Sequence, residues 1–120
     1  MWLFKLFYVF LRNQLYYKPK GYLASRKVAA YLEENDHAFR SIQVCIGLAE
    51  PRELSCMVFF SCDRELELFV REQQLILATE CFQRALVDRG YPESAIPYVG
   101  VEAHSEETIE RSGGYYTYFK

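Results

Sequence analysis

The segment from Trp2 to Leu11 constrains this chain most strongly, because nine of its ten side chains are apolar and only Lys5 interrupts it. At the period of an α-helix, one stripe of the segment collects large apolar residues, namely Leu3, Phe7, Phe10, Leu11 and Leu15. Three more residues extend the apolar surface around most of the circumference, namely Phe4, Tyr8 and Val9. The sequence therefore predicts a helix over residues 3–16 that another surface must cover.

This predicted helix is too short to cross a membrane, because its ten-residue apolar run falls well below the roughly 20 residues of a spanning helix. We expect it to lie in the core or at a subunit interface, where it would support a homodimer. The alternative is an anchor in the interfacial region of a membrane, since such helices combine a wide apolar face with basic residues.

The amino-terminal region lacks the features of a secretory signal. No basic stretch precedes the apolar run, and no small-x-small cleavage site lies between Asn13 and Tyr22. We therefore expect a cytoplasmic protein with reduced cysteines.

Cysteine and histidine spacing matches no metal site. The four cysteines, which form no CxxC pair, are Cys45, Cys56, Cys62 and Cys81. The two histidines, His37 and His104, are far apart in the sequence. We expect buried free thiols, and neither a metal nor a cofactor.

Length and charge indicate one domain and narrow the range of partners. With 120 residues, the chain suits a single domain over residues 1–120, since two cores would each lack apolar surface. Its formal net charge of -2 leaves no basic excess to neutralise phosphates. Direct binding to nucleic acid is therefore not expected.

Two further helices are predicted from apolar spacing and from the residues at their ends. Pro19 and Gly21 indicate a break, and Ser25 is a suitable N-cap for a short amphipathic helix over residues 26–34. The clearest helix covers residues 72–89, and its apolar face consists of Leu75, Ala78, Thr79, Phe82 and Leu86. Gly90 and Pro92 then mark the end of that helix.

Five short segments have the composition or the alternation of β-strands. They are residues 42–48, 54–61, 66–71, 98–103 and 115–119. The polar connection from Glu50 to Glu53 predicts that the first two strands pair antiparallel, and the third would complete a meander. The expected fold class is α+β, an antiparallel sheet of about five strands with the helices packed mainly on one face.

An alternative exists for the third predicted strand, and one more helical turn is predicted near the carboxyl terminus. In the segment 66–71, Leu66, Leu68 and Val70 alternate as in a strand, but the following helix could instead extend back to Asp63 as its N-cap. Near the carboxyl terminus, Ser105 is suited to cap one helical turn. Glu106 and Glu107 would lie in that first turn, and Gly113 and Gly114 would end it.

The common catalytic motifs are absent. The sequence contains no GxGxxG, GxxxxGK[ST], HExxH, GxSxG or EF-hand loop. His37 and His104 are the candidate bases for a Cys or Ser nucleophile, but neither adjoins a nucleophile motif, and both are expected in solvated turns. We therefore expect no enzymatic activity.

Acidic residues form three clusters, which are Glu33, Glu34 and Asp36, then Asp63, Glu65 and Glu67, and finally Glu102, Glu106, Glu107 and Glu110. Clusters that converge in the fold would form an acidic patch able to bind a basic surface. Exposed tyrosines beside such a patch would add contact area. The candidate partner-binding residues, called the C-terminal surface below, are Glu102, Glu106, Glu107, Glu110, Tyr115, Tyr116 and Tyr118.

The segment HSEETIERSGGYYTYF, residues 104–119, resembles the ends of small bacterial immunity proteins. These proteins are the antidotes encoded beside polymorphic or contact-dependent inhibition toxins. The resemblance covers 16 of the 120 residues and includes no family-defining motif. It implies a cytosolic, non-enzymatic protein that binds one cognate toxin domain, often a nuclease, and blocks its active site.

Two functions from different classes therefore remain. The first is a non-enzymatic protein-binding module of the immunity, or antitoxin, type. The alternative is a small-ligand-binding or enzymatic α+β domain, with a pocket between the sheet and the helix over residues 72–89.

Overall fold

The computed structural model describes residues 2–47 and 50–119, which form an α+β fold. The helices are α1 (Trp2–Arg12), α2 (Lys18–Glu34), α3 (Asp63–Arg71), α4 (Gln74–Asp88), α5 (Glu106–Arg111) and α6 (Tyr115–Tyr118). The strands are β1 (Ser41–Cys45), β2 (Ser55–Phe60) and β3 (Gly100–Ser105). A π-helical turn (Asn13–Tyr17) joins α1 to α2, and 3-10 turns cover Pro51–Glu53 and Glu93–Tyr98.

The sheet has three strands in the order β1-β2-β3, with β2 in the centre. The predicted antiparallel pairing of the first two strands is confirmed, with Ile42 opposite Val58. The prediction of a five-stranded antiparallel sheet is wrong, because β3 pairs parallel to β2, with Val101 opposite Cys56. A parallel pair needs a long crossover, and α3 and α4 provide it.

The predicted strand over residues 66–71 is wrong, and the alternative of a helix that starts near Asp63 is confirmed in part. This segment belongs to α3, whose N-cap is Cys62, and Gln73 in the left-handed conformation separates it from α4. Leu66 packs against the core and Phe69 is buried in it, three residues apart as on one helical face. The three-residue spacing of Leu66 and Phe69 therefore indicates the helix, whereas the alternation of Leu66, Leu68 and Val70 wrongly indicated a strand.

The predicted strand over residues 115–119 is also wrong, because residues 115–118 form α6. Gly113 and Gly114, both at positive φ, end the preceding helix as expected and turn the chain back toward the sheet. Tyr115 and Phe119 then pack against Phe59, with ring centroids 5.9 and 6.4 Å away. Tertiary packing of these aromatic rings thus overrides the strand propensity of the segment.

The remaining strand bounds differ from the prediction by a few residues. The segment 98–103 is shifted to Gly100–Ser105, since a 3-10 turn that contains Pro97 occupies the preceding residues. The segment 54–61 is shortened to Ser55–Phe60. The segment 42–48 is a strand over Ser41–Cys45, and Leu48 lies outside the described residues.

The predicted break between residues 18 and 21 does not occur, so the helices expected over 3–16 and 26–34 are parts of one helical stretch. The π turn alters the backbone register before Pro19, which lies in the first turn of α2, where a missing N–H is tolerated. Gly21 allows close packing instead of a turn, because a Cβ there would lie 2.8 Å from Leu54 Cδ1. Ser25 is buried within α2 and is not its N-cap.

The core lies between one face of the sheet and the helices α2 and α4. Its buried residues from the helices include Ala24, Val28, Leu32, Ala78, Phe82 and Leu86, and those from the sheet include Cys56, Val58, Phe60 and Val101. Hydrogen bonds also connect the two helices, from Tyr31 Oη to Gln74 Oε1 at 2.6 Å and from Lys20 Nζ to Arg89 O at 2.8 Å. The apolar face predicted for residues 72–89 is thus confirmed for α4.

Helix α1 is not part of this core. None of its residues is buried, so the expectation that it lies in the core of the chain is wrong. The first buried residue after it is Asn13, whose Nδ2 donates to Gly47 O at 2.9 Å. Among the described helices, none is both long and apolar enough to cross a membrane.

We expect Phe82→Ala to lower the free energy of unfolding by about 3–5 kcal/mol, because it leaves a cavity between α4 and the sheet. The matched control is Ile76→Ala on the exposed side of the same helix, which should change it by no more than about 0.5 kcal/mol. Urea unfolding followed by circular dichroism measures both values. Similar losses for the two variants would contradict this packing of α4.

Candidate functional site

The C-terminal surface is built around Phe59, which projects from β2 on the side opposite to the core. Phe59 is 1% exposed, because His104 and the rings of Tyr115 and Phe119 cover it. Its neighbours Val58 and Phe60 belong to the core on the other face. The strand therefore holds α6 directly against the sheet.

His104 connects two of the predicted residues of this surface. Its Nδ1 lies 3.0 Å from the hydroxyl oxygen of Tyr118, and its Nε2 lies 3.3 Å from Glu102 Oε2. The imidazole also stacks on Phe59, with ring centroids 5.5 Å apart. The expectation of a solvated turn histidine is therefore wrong, because His104 lies in β3 with its side chain 15% exposed.

Glu106 connects α5 to α6. It accepts a hydrogen bond from the hydroxyl of Tyr115 at 3.1 Å and pairs with Arg40 Nε at 3.1 Å. Partial desolvation, and then this hydrogen bond to the carboxylate, raises the pKa of Tyr115. The tyrosine therefore stays a hydrogen-bond donor at neutral pH.

Asp63, at the start of α3, links this surface to a second acidic cluster. Its Oδ1 accepts hydrogen bonds from Ser105 Oγ at 2.5 Å and Thr108 Oγ1 at 2.7 Å, and its Oδ2 lies 2.7 Å from Arg111 Nη2. These hydrogen bonds, from Ser105 first and then from Thr108 and Arg111, lower the pKa of Asp63 to about 2. Glu107 in turn accepts from the backbone N–H of Asp63 at 2.8 Å.

The hydrogen bonds of Ser105 and Asp63 also fix the start of α5. Ser105 caps this helix as predicted, since its Oγ accepts from the backbone N–H of Thr108 at 3.4 Å. The same oxygen donates its proton to Asp63. The first turns of α3 and α5 are therefore held together by one carboxylate and one hydroxyl.

The acidic cluster of Glu33, Glu34 and Asp36 approaches α3 through Asp36. Asp36 shares a cavity of about 320 Å³ with Glu65 and Glu72, and His37 and Phe69 also line it. Asp36 is thus the residue of this cluster that approaches α3, whose Asp63 contacts Glu107 of α5. Arg40 and Arg111 offset part of this acidic charge through the ion pairs described above.

The structure brings the seven residues of the C-terminal surface onto β3, α5 and α6, but it uses them differently. Tyr116 is 83% exposed and Glu110 is exposed on α5. Glu102, Glu106, Glu107, Tyr115 and Tyr118 each have a hydrogen-bond partner within the chain. Tyr116 and Glu110 are therefore the members best placed to contact another molecule.

Sequence reasoning missed Phe59, His104, Phe119 and Arg40 as parts of this surface. One signal was present for Phe59, because the run LSCMVFFS has apolar residues at consecutive positions, which is typical of a strand buried on both faces. No local pattern marks Arg40, which reaches Glu106 only through the fold.

The cysteines are free, but they are less uniformly buried than expected. Cys56 is buried, Cys62 and Cys81 are half-buried, and Cys45 is exposed. Desolvation raises the pKa of Cys56 to about 12, which keeps this thiol protonated. Within residues 2–47 and 50–119, no three His, Cys, Asp or Glu side chains are grouped as a set of metal ligands.

The space between the sheet and α4 is occupied by side chains. Phe82 and Leu86 from α4 and Val58 from β2 are all fully buried there. A cavity of about 360 Å³ lies instead at α2 and α4, where Cys81 is accompanied by three basic side chains and one acidic one, namely Lys27, Arg84, Arg89 and Asp88. This cationic region is separate from the C-terminal surface.

Comparison with protein-family models, with curated proteins and with solved structures finds no match for this chain.

We expect Asp63→Asn to destabilise the fold in a manner that depends on pH. Because folding lowers the pKa of Asp63 from 3.8 to about 2, its charge stabilises the fold fully above the unfolded value and no longer does so once the pH falls through the folded value. The difference in unfolding free energy between wild type and variant should therefore shrink between about pH 4 and pH 2. Urea unfolding over a pH series measures it.

The matched control is Glu67→Gln, which removes an exposed carboxylate from the same helix and should have a small effect throughout the series. A difference for Asp63→Asn that stays constant from about pH 5 to pH 2 would show that the ionised carboxylate is not what holds α3 to α5.

Proposed function

We propose that this chain is a non-enzymatic protein-binding module of the immunity type, which neutralises a toxin domain by direct binding through the C-terminal surface. The single observation that carries the proposal is the exposed ring of Tyr116 on α6, the helix that follows α5 and contacts its Glu106 through Tyr115. An aromatic anchor next to charged groups is typical of residues that dominate binding energies.

The support beneath this surface favours recognition of another protein. Phe59 fixes α6 against the sheet, and the hydrogen bond from Tyr115 to Glu106 fixes α6 against α5. Side chains that are already ordered lose less conformational entropy on binding. The surface can therefore bind a partner without first reorganising.

The charge of the surface favours a basic partner. Glu102, Glu107 and Glu110 add to the carboxylates of Glu106 and Asp63, and the two arginines nearby neutralise only part of this charge. Nuclease domains are cationic where they hold phosphates, so an acidic surface complements them and accelerates their association. A nuclease toxin, which the resemblance implies, is consistent with this chemistry.

We expect the double variant Glu110→Gln with Tyr116→Ala to weaken partner binding by at least about tenfold, because it removes one exposed carboxylate and the most exposed ring of the surface. The partner to test is the carboxyl-terminal domain of a secreted toxin encoded beside this gene. Isothermal titration calorimetry at low and high salt gives the affinity and its electrostatic part.

The matched control removes the same kinds of side chain elsewhere, in the double variant Glu80→Gln with Tyr98→Ala, and it should bind as the wild type does. Equal losses in the two double variants would show that the C-terminal surface is not the binding site. A gene neighbourhood without a toxin, together with no binding to a purified nuclease toxin domain, would overturn the proposed function itself.

A further inference from the structure

Helix α1 leaves large apolar side chains in solvent. Trp2, Phe4 and Tyr8 are 70%, 76% and 66% exposed. The helical stretch over residues 2–34 would be about 50 Å long at 1.5 Å per residue, which equals the longest dimension of the molecule, 50 Å. Since the apolar residues buried from this stretch begin at Ala24, α1 forms the end that extends beyond the core.

The apolar residues of α1 occupy more than one side of the helix. Leu3, Leu6, Phe7 and Phe10 line an apolar groove on one side. At 100° per residue, Phe4 and Tyr8 lie on another side, while Lys5 and Arg12, seven residues apart, share a narrow basic stripe. A partner that removes these apolar side chains from water must therefore cover a wide arc of α1 and leave one basic stripe uncovered.

The charge of the long helix indicates what that partner is. Within residues 1–32 there are six basic residues and no acidic residue, and the basic ones are Lys5, Arg12, Lys18, Lys20, Arg26 and Lys27. Residues 33–120 contain the other eight basic residues and all sixteen acidic ones. The apolar helix is thus continuous with a strongly cationic region, although the whole chain has a net charge of only -2.

A second copy of the chain fits these observations poorly. Pairing α1 with α1 would bring two cationic helices together, and like charges repel. A helix seated in the groove of Leu3 and Phe7 would also leave Phe4 and Tyr8 in solvent. A lipid surface covers a wide arc at once, and anionic headgroups attract the basic residues.

We propose that α1 binds the interfacial region of a bilayer that contains anionic lipid. The apolar arc lies among the acyl chains, and Lys5 extends toward the headgroups, as long basic side chains do at such boundaries. The guanidinium of Arg12 instead lies over the ring of Tyr17, 5.2 Å from its centroid. Trp2 and Tyr8 have amphipathic rings, which favour the boundary between lipid and water. The eleven residues of α1 lie in the membrane surface and do not cross the bilayer.

Trp2 provides the test, because it is the only tryptophan of the chain and is exposed. The full chain is titrated with vesicles of phosphatidylcholine alone, and with vesicles that contain about 30% phosphatidylglycerol. We expect the wild type to sediment with the anionic vesicles and the emission of Trp2 to shift to the blue. The affinity of the double variant Phe4→Ser with Tyr8→Ser for these vesicles should be at least about tenfold weaker. The matched control Ile76→Ser, on an exposed part of α4, should bind as the wild type does.

Several results would overturn the proposal. They are an unchanged Trp2 emission with both kinds of vesicle, equal binding to neutral and anionic vesicles, and equal losses for the α1 variant and Ile76→Ser. A blue-shifted Trp2 emission without lipid, together with a dimer mass by analytical ultracentrifugation, would assign α1 to a second copy. Circular dichroism checks that each variant folds, which is expected because Phe4, Tyr8 and Ile76 are exposed.

This proposal is independent of the proposed function. The α1 variant should bind a toxin domain normally, and the variant of Glu110 and Tyr116 should bind vesicles normally. A failure of one proposal therefore leaves the other unaffected.

Discussion

Burial of β2 on both faces is the constraint on which the rest of the structure depends. On one face, Val58 and Phe60 pack against the helices of the core, and on the other Phe59 packs under α6. β2 is also the central strand, so its backbone is paired on both edges. Stability of the core and placement of the C-terminal surface therefore depend on the same six-residue strand.

An element could be predicted where the local sequence signals agree with the contacts that it makes in the fold. The helix over 72–89 and the hairpin of β1 with β2 were predictable, because local periodicity, Gly90 and the polar connection after β1 all agree with the structure. The segments 66–71 and 115–119 were not, since both are rich in residues that favour strands. The helical state of 115–119 depends on contact with Phe59, which is distant in sequence, whereas in 66–71 it places Phe69 against the nearby Phe60.

The same distinction applies to the candidate surface. Its acidic residues and tyrosines were visible as clusters in the sequence, and their common location follows from α5 and α6 being adjacent along the chain. The contributions of Asp63 and Arg40 could not be predicted, because they come from segments more than forty residues away. Pro19 and Gly21 wrongly predicted a break for a related reason. Pro19 follows a π turn within the helical stretch, and Gly21 packs closely on Leu54.

Helix stability does not explain the charges of the long helical stretch. A helix dipole favours acidic residues in the first turn and basic residues in the last, at about 0.3–1 kcal/mol each. Here Lys5 is the fourth residue of the continuous stretch, and Glu33 and Glu34 are its last two residues. These placements oppose the dipole of the continuous stretch, so an explanation has to come from interactions outside the helix.

Long-range charge separation offers such an explanation. The six basic residues of α1 and α2 are distributed along the helical stretch as far as Lys27, whereas Asp36, Glu65 and Glu72 line one cavity beyond its carboxyl end. A molecule charged in this way is oriented by an anionic surface, because its basic end is attracted and its acidic end repelled. The same orientation would turn the acidic edge at the end of α2 away from the lipid. A basic partner could then approach that edge from the aqueous side without competing with the membrane for the same residues.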